Sequence, residues 1–149
     1  MKDTLVGTWR LLSATETTEK GEQSDLFGRN PTGFLTYTAD GRMMGIISHA
    51  GRKPLSVPDH ISAAPAEERA EAFATFVAYA GTYTQETDRV IHHVQAAWLE
   101  NWVGTDQVRI IAKLQADQLI LRTRPYLSRG RTVTSELVWQ RLKLESEGH

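Results

Sequence analysis

Two side chains in this sequence can exchange protons in a dry setting, and they fall at matching positions. His92 lies in Val90-Ile91-His92-His93-Val94, and Tyr83 in Gly81-Thr82-Tyr83-Thr84-Gln85. With Glu86-Thr87-Asp88-Arg89 as a hairpin loop, Gln85 pairs with Val90 and Tyr83 with His92. Opposed strand residues share a face, their Cβ atoms about 4.5–5.5 Å apart. Val90 and Val94 share the face of His92, which makes that face apolar and points it inward. There a phenol and an imidazole can serve as proton donor and acceptor, so His92 and Tyr83 are the candidate catalytic pair. The same placement also suits ligand binding without chemistry, or a structural histidine bonded to Tyr83 or to a carbonyl.

Other side chains fit a pocket around that pair. Trp98 and Trp102 share one loop beside the His92 strand, and two indoles are costly to leave in water. They read as a lid over an apolar or planar ligand, or as anchors of the loop. Phe34, Tyr37 and Met44 lie on an early hairpin and are candidate lining, with Tyr37 a second hydroxyl donor. Arg109 alternates with Val108, Ile110, Ala112 and Leu114, a pattern that turns it outward. Two roles are open to it: a surface ion pair, or a donor to a ligand oxygen at the mouth of the pocket. His93 falls on the opposite face from His92, so the adjacent pair cannot chelate one metal from a regular strand. No set of residues has metal-ligand spacing, and no phosphate loop, dinucleotide fingerprint or nucleophile elbow occurs. The expectation is no metal and no cofactor. Arg122, Arg124, Arg129 and Arg131 form a basic run that reads as a solvated surface.

The bulk composition narrows the classes. The chain has 149 residues, a formal net charge of −1 and no cysteine. That length suits one domain over 1–149, with 143–149 as a polar tail. A near-neutral chain gives no global reason to expect nucleic acid or an anionic membrane as partner. Without cysteine there is no disulfide framework and no thiolate chemistry. No window approaches the ~18 apolar residues of a spanning helix, and Met1 to Leu5 carry no apolar leader. The expectation is a soluble, cytoplasmic protein.

The elements that must hold these residues are mostly strands. Leu5–Thr18, Phe34–Thr38, Arg42–Ser48, Thr82–Gln85, Val90–Ala97, Gln107–Leu114, Gln118–Thr123 and Thr132–Leu142 alternate in the manner of half-buried strands. One helix is expected at about 65–80: Pro65 suits its first turn, Ala70, Phe73, Phe76, Val77 and Ala80 recur at helical spacing, and Gly81 stops it. Eight sequential antiparallel strands with one inserted helix favour an up-and-down barrel. Trp9 near the first strand's start and Arg141 on the last can stack if the two ends of the sheet meet. That contact would seal one end, leaving the mouth near Tyr83, His92 and the Trp98–Trp102 loop.

Gly7-Thr8-Trp9 resembles the Gly-x-Trp signature of lipocalins. Gly33 to Met43, Tyr79 to Tyr83, Val90 to Val94, Trp102 to Thr105, Arg109, Asp117 to Leu121 and Trp139-Gln140-Arg141 resemble, in order and spacing, the bacterial and fungal lipocalin-like domain proteins. That resemblance implies a calycin-type barrel around a small-molecule pocket and no single reaction; some members sit in secondary metabolism. Three readings follow. The first is cofactor-free acid–base chemistry on an apolar or polyketide-like metabolite: isomerisation, cyclisation, hydration or dehydration. The second is a carrier of a hydrophobic ligand. The third is a protein-interaction module. Barrels of this type often dimerise, so a homodimer is compatible with each.

Overall fold

A computed structural model describes residues 4–57 and 61–143. The tail expected at 143–149 lies outside these residues except for Lys143. Ten strands form one antiparallel sheet: β1 (Gly7–Thr18), β2 (Gln23–Asp25), β3 (Thr32–Tyr37), β4 (Arg42–Ser48), β5 (Phe76–Gln85), β6 (Arg89–Ala97), β7 (Asp106–Leu114), β8 (Gln118–Thr123), β9 (Tyr126–Ser128) and β10 (Arg131–Arg141). The eight long strands follow one another around a closed barrel, β1-β3-β4-β5-β6-β7-β8-β10, and β10 pairs back onto β1. The short β2 and β9 extend β1 and β10 as flaps. Neither is among the strands expected from the sequence, because three residues are too few to show a period. Among the described residues no helix is long and apolar enough to cross a membrane.

The helix is the main departure from expectation. α1 spans only Ala66–Ala74 and buries none of its residues. Phe76, Val77 and Ala80, assigned to its apolar face, belong to β5 instead, and Gly81 is not a helix stop. β5 pairs with β4 along its first seven residues, from Ser48↔Phe76 to Arg42↔Thr82, and with β6 on its other edge. Two ladders outweigh the weak propensity that a helical spacing expresses. The glycine serves the β5–β6 pairing. A bulge falls between Ala80 and Gly81, and a Cβ at Gly81 would lie 1.8 Å from the His93 carbonyl oxygen. A second bulge, between Leu11 and Ser13 of β1, shifts the inward set to Trp9, Leu11 and Ala14.

The two ends of the barrel differ. Turns 38–41, 86–88 and 115–117 lie with the start of β1 and the end of β10 at one end. There Trp9 is fully buried and its indole N–H donates to the Leu5 carbonyl at 2.9 Å. The Arg141 guanidinium stacks 4.2 Å from the Trp9 ring centroid. Arg141 also donates to the carbonyls of Thr4, Val6 and Ala116, tying three chain segments together. Gly7 has φ +135°, and a Cβ there would stand 2.5 Å from the Arg141 Nη1. The glycine of the Gly-Thr-Trp signature is therefore what lets the arginine in.

Arg141→Met should destabilise the protein by about 2–3 kcal/mol, from the lost cation–π contact and charge-assisted hydrogen bonds. The check is urea unfolding. An unchanged midpoint would contradict the seal.

Candidate functional site

Above that seal the barrel encloses a cavity of about 530 Å³. Trp139 lines its lower part, aliphatic side chains such as Leu35, Ile47, Val77 and Leu121 form the wall, and Trp98 and Trp102 stand near its far end. Trp9 and Arg141 close the barrel, whereas Trp139, two residues before Arg141, faces the cavity. Its indole nitrogen is buried with no hydrogen-bond partner among the described residues.

The polar centre is a chain of three side chains. His92 is 1% exposed. Its Nε2 lies 2.6 Å from the Tyr37 hydroxyl, and its Nδ1 lies 2.6 Å from the Tyr79 hydroxyl. The alternation of β6 turns His92 inward between Val90 and Val94, both buried. Tyr37 comes from the end of β3 and Tyr79 from β5. Burial, with the charges of Arg109 and His93, pushes the His92 pKa down to about 3. Burial also raises both tyrosines above the ordinary phenol value, and the nearby Arg109 guanidinium opposes part of that rise. The centre is therefore neutral near pH 7: one imidazole and two phenols.

Tyr83 is placed differently from expectation. It does pair with His92 across β5 and β6. Its hydroxyl, however, donates to the Thr38 carbonyl at 2.8 Å in the β3–β4 turn, at the sealed end. It does not line the cavity. Its ring packs edge-on against Tyr37, with centroids 4.8 Å apart. The partner reaching His92 from β5 is Tyr79, on the same face and nearer the mouth. Assigning 76–80 to a helix hides Tyr79. The signal that reveals it is the strand alternation Tyr79-x-Gly81-x-Tyr83.

Arg109 points into the barrel and lines the cavity. It sits opposite Val90, which is fully buried, while Ile110 next to it is 39% exposed. The apolar alternation of β7 is thus reversed: Ile110 and Ala112 face out, Arg109 and Ile111 face in, and a bulge between Ile111 and Lys113 brings Leu114 back to the core. One guanidinium nitrogen donates to the Val108 carbonyl at 3.1 Å. Among the described residues Arg109 has no carboxylate partner. Its guanidinium also lies beside the Tyr79 hydroxyl, so the two groups face one part of the cavity.

The other predicted residues separate by strand face. Trp98 and Trp102 line the cavity and pack edge-on, centroids 5.2 Å apart, with Trp102 against Tyr79 at 5.3 Å. Tyr37 is buried beneath His92. Phe34 and Met44 turn outward, 37% and 58% exposed, and do not line the cavity. Their neighbours Leu35 and Met43 take the inward positions, because register decides which of two alternating apolar sets is inside. His93 faces away, bonded to Thr84 and Asp106. In the basic run Arg122 and Arg131 pair with Glu136 and Glu22, and Arg124 stands at the mouth.

The chain belongs to the lipocalin-like domain family, which it matches over residues 6–142. It is 34% identical over 107 residues to the 4'-hydroxy-3'-methoxypropiophenone carrier protein of Aspergillus oryzae, an alignment covering 66% of this chain and 89% of that protein. Among solved structures, a redesigned β-barrel aligns over 93% of this chain and 92% of its own, at 15% identity and a TM-score of 0.42.

A neutral buried histidine makes stability depend on pH. The folded pKa of His92 is about 3, below the ordinary value of 6.5, so the unfolded chain binds the extra proton first. Its contribution is fully present above about pH 6.5 and is lost as the pH falls toward 3, at up to about 1.4 kcal/mol per pH unit. Urea unfolding between pH 7 and 5 should show a falling stability whose slope is smaller in His92→Gln. Equal slopes would contradict a neutral, buried His92.

Proposed function

We propose that this protein binds and carries a small aromatic metabolite bearing a polar oxygen. The observation that carries this reading is the combination inside one barrel: an apolar cavity of about 530 Å³ with a few convergent polar groups, Tyr79, His92 and Arg109. Small-molecule sites typically measure about 300–1,000 Å³ and pair an apolar wall with a few placed donors. An apolar cavity of roughly 150 Å³ already takes up benzene, so a substituted aromatic ring is well within reach. Trp98 and Trp102 offer edges and faces to a planar ring at the mouth. The relative from A. oryzae is named as the carrier of a phenolic aryl ketone, a ligand of this size and polarity.

Binding is favoured over acid–base catalysis by His92 and Tyr83. Both ring nitrogens of His92 are engaged by tyrosine hydroxyls, so neither is free to meet a substrate proton. Its low pKa makes it a poor base near neutrality. Tyr83 is spent on the Thr38 carbonyl. The carrier reading needs no cofactor, nucleic acid or membrane.

Titration with 4'-hydroxy-3'-methoxypropiophenone should give saturable quenching of tryptophan fluorescence at one site per chain. The ligand should be recovered chemically unchanged. Trp102→Ala should weaken binding by about 5- to 20-fold through the lost aromatic contact. Conversion of the ligand at a rate abolished by His92→Ala would restore the catalytic reading. Absence of saturable binding by any aryl ketone would remove the carrier reading.

A further inference from the structure

The hydrogen inventory of the Tyr37–His92–Tyr79 chain has a direction. A neutral imidazole carries one N–H donor and one bare acceptor nitrogen. One tyrosine therefore donates to the ring, and the other accepts from it and keeps its own O–H for a further partner. Tyr37 is 1% exposed, and among the described residues its hydroxyl has no partner except His92. Were Tyr37 the acceptor, its hydrogen would be buried without an acceptor, the costlier arrangement. Tyr37 therefore donates to Nε2, and Nδ1–H donates to the Tyr79 oxygen. The remaining hydrogen in the chain is that of Tyr79, which lines the cavity.

We propose that Tyr79 donates the hydrogen bond that selects the ligand, to a carbonyl or phenolate oxygen held between its hydroxyl and the Arg109 guanidinium. Arg109 enters the same cavity beside the Val108 carbonyl and the Tyr79 hydroxyl oxygen, with no carboxylate partner among the described residues. Two donor groups, with no carboxylate in between, call for an oxygen acceptor on the ligand. The chain behind Tyr79 strengthens its donation, because an O–H whose oxygen already accepts a hydrogen bond is further polarised. His92 and Tyr37 are in this scheme positioning residues: they fix the direction in which Tyr79 points and offer the ligand no free hydrogen-bonding group. The inference deepens the carrier reading and rests on it, since it names the chemistry by which that cavity would choose its cargo.

The experiment compares two probes of similar shape, propiophenone and propylbenzene, which differ by the ketone oxygen. Binding is measured by tryptophan quenching or calorimetry on the full chain. The wild type should prefer the ketone by about five- to tenfold, the scale of one good hydrogen bond. Tyr79→Phe should abolish that preference by weakening the ketone alone, because the ring that packs on Trp102 and His92 is kept. Arg109→Met should also reduce it. ¹⁵N NMR of His92 in the unliganded wild type tests the direction without any variant: Nδ1 should carry the hydrogen and Nε2 should be bare. A hydrogen on Nε2 would overturn the proposal even if Tyr79→Phe failed to fold. Equal wild-type affinity for the two probes, or a ketone preference that survives Tyr79→Phe, would overturn it while leaving the carrier reading intact. Failure of the wild type to bind either probe would remove the carrier reading and this inference with it.

Discussion

The structure depends on the pairing of its first long strand with its last. β1 meets β10 from Trp9↔Arg141 to Thr18↔Val133. Without that ladder the long strands would form an open sheet with two exposed edges and one wet face. With it, every inward side chain sees other inward side chains, and an interior exists. Arg141 locks the junction at one end because its planar, permanently charged head can stack on Trp9 while bonding three carbonyls. Gly7 is required by the same geometry: a side chain there would occupy the space of the guanidinium.

Closure at one end gives the barrel its polarity. The tryptophans share the tasks that follow: Trp9 fills the sealed end, Trp139 bounds the lower cavity, and Trp98 with Trp102 stand near its mouth. Between them the interior carries few polar groups, and apart from the Trp139 indole nitrogen they follow the rule that buried polar groups find partners. His92 is satisfied on both nitrogens and remains neutral, which avoids the cost of a buried charge. Arg109 faces the cavity beside the Val108 carbonyl and the Tyr79 hydroxyl, with no carboxylate partner among the described residues. The contrast separates a group whose bonds are complete from one with donors left for a visitor.

Much of this was legible in the residues. The strands, the short turns, the Trp9–Arg141 contact and the inward turn of His92 follow from alternation and turn chemistry, and these rules act between near neighbours. The errors fall where a distant partner overrules a local pattern. Residues 76–80 carry a helical spacing, yet β4 and β6 claim them as a strand. Arg109 carries an outward pattern, yet pairing with buried Val90 turns it in, and the bulge near Lys113 keeps the flanking apolar residues consistent with either face. Phe34 and Met44 were as plausible for the lumen as Leu35 and Met43, because both sets alternate with period two.

The sequence by itself determined that the chain closes into an antiparallel barrel, where it is sealed, and which histidine lies inside. Period-two alternation and tight turns encode those facts within a few residues. Only the tertiary structure decided the polar centre of the cavity. Tyr79 replaces Tyr83 as the β5 partner of His92, Tyr37 joins from a strand 55 residues away, and Arg109 is placed beside them. The physical reason is register. A bulge or a misassigned element exchanges the two faces of a strand, and that choice is made by cross-strand partners far away in the chain.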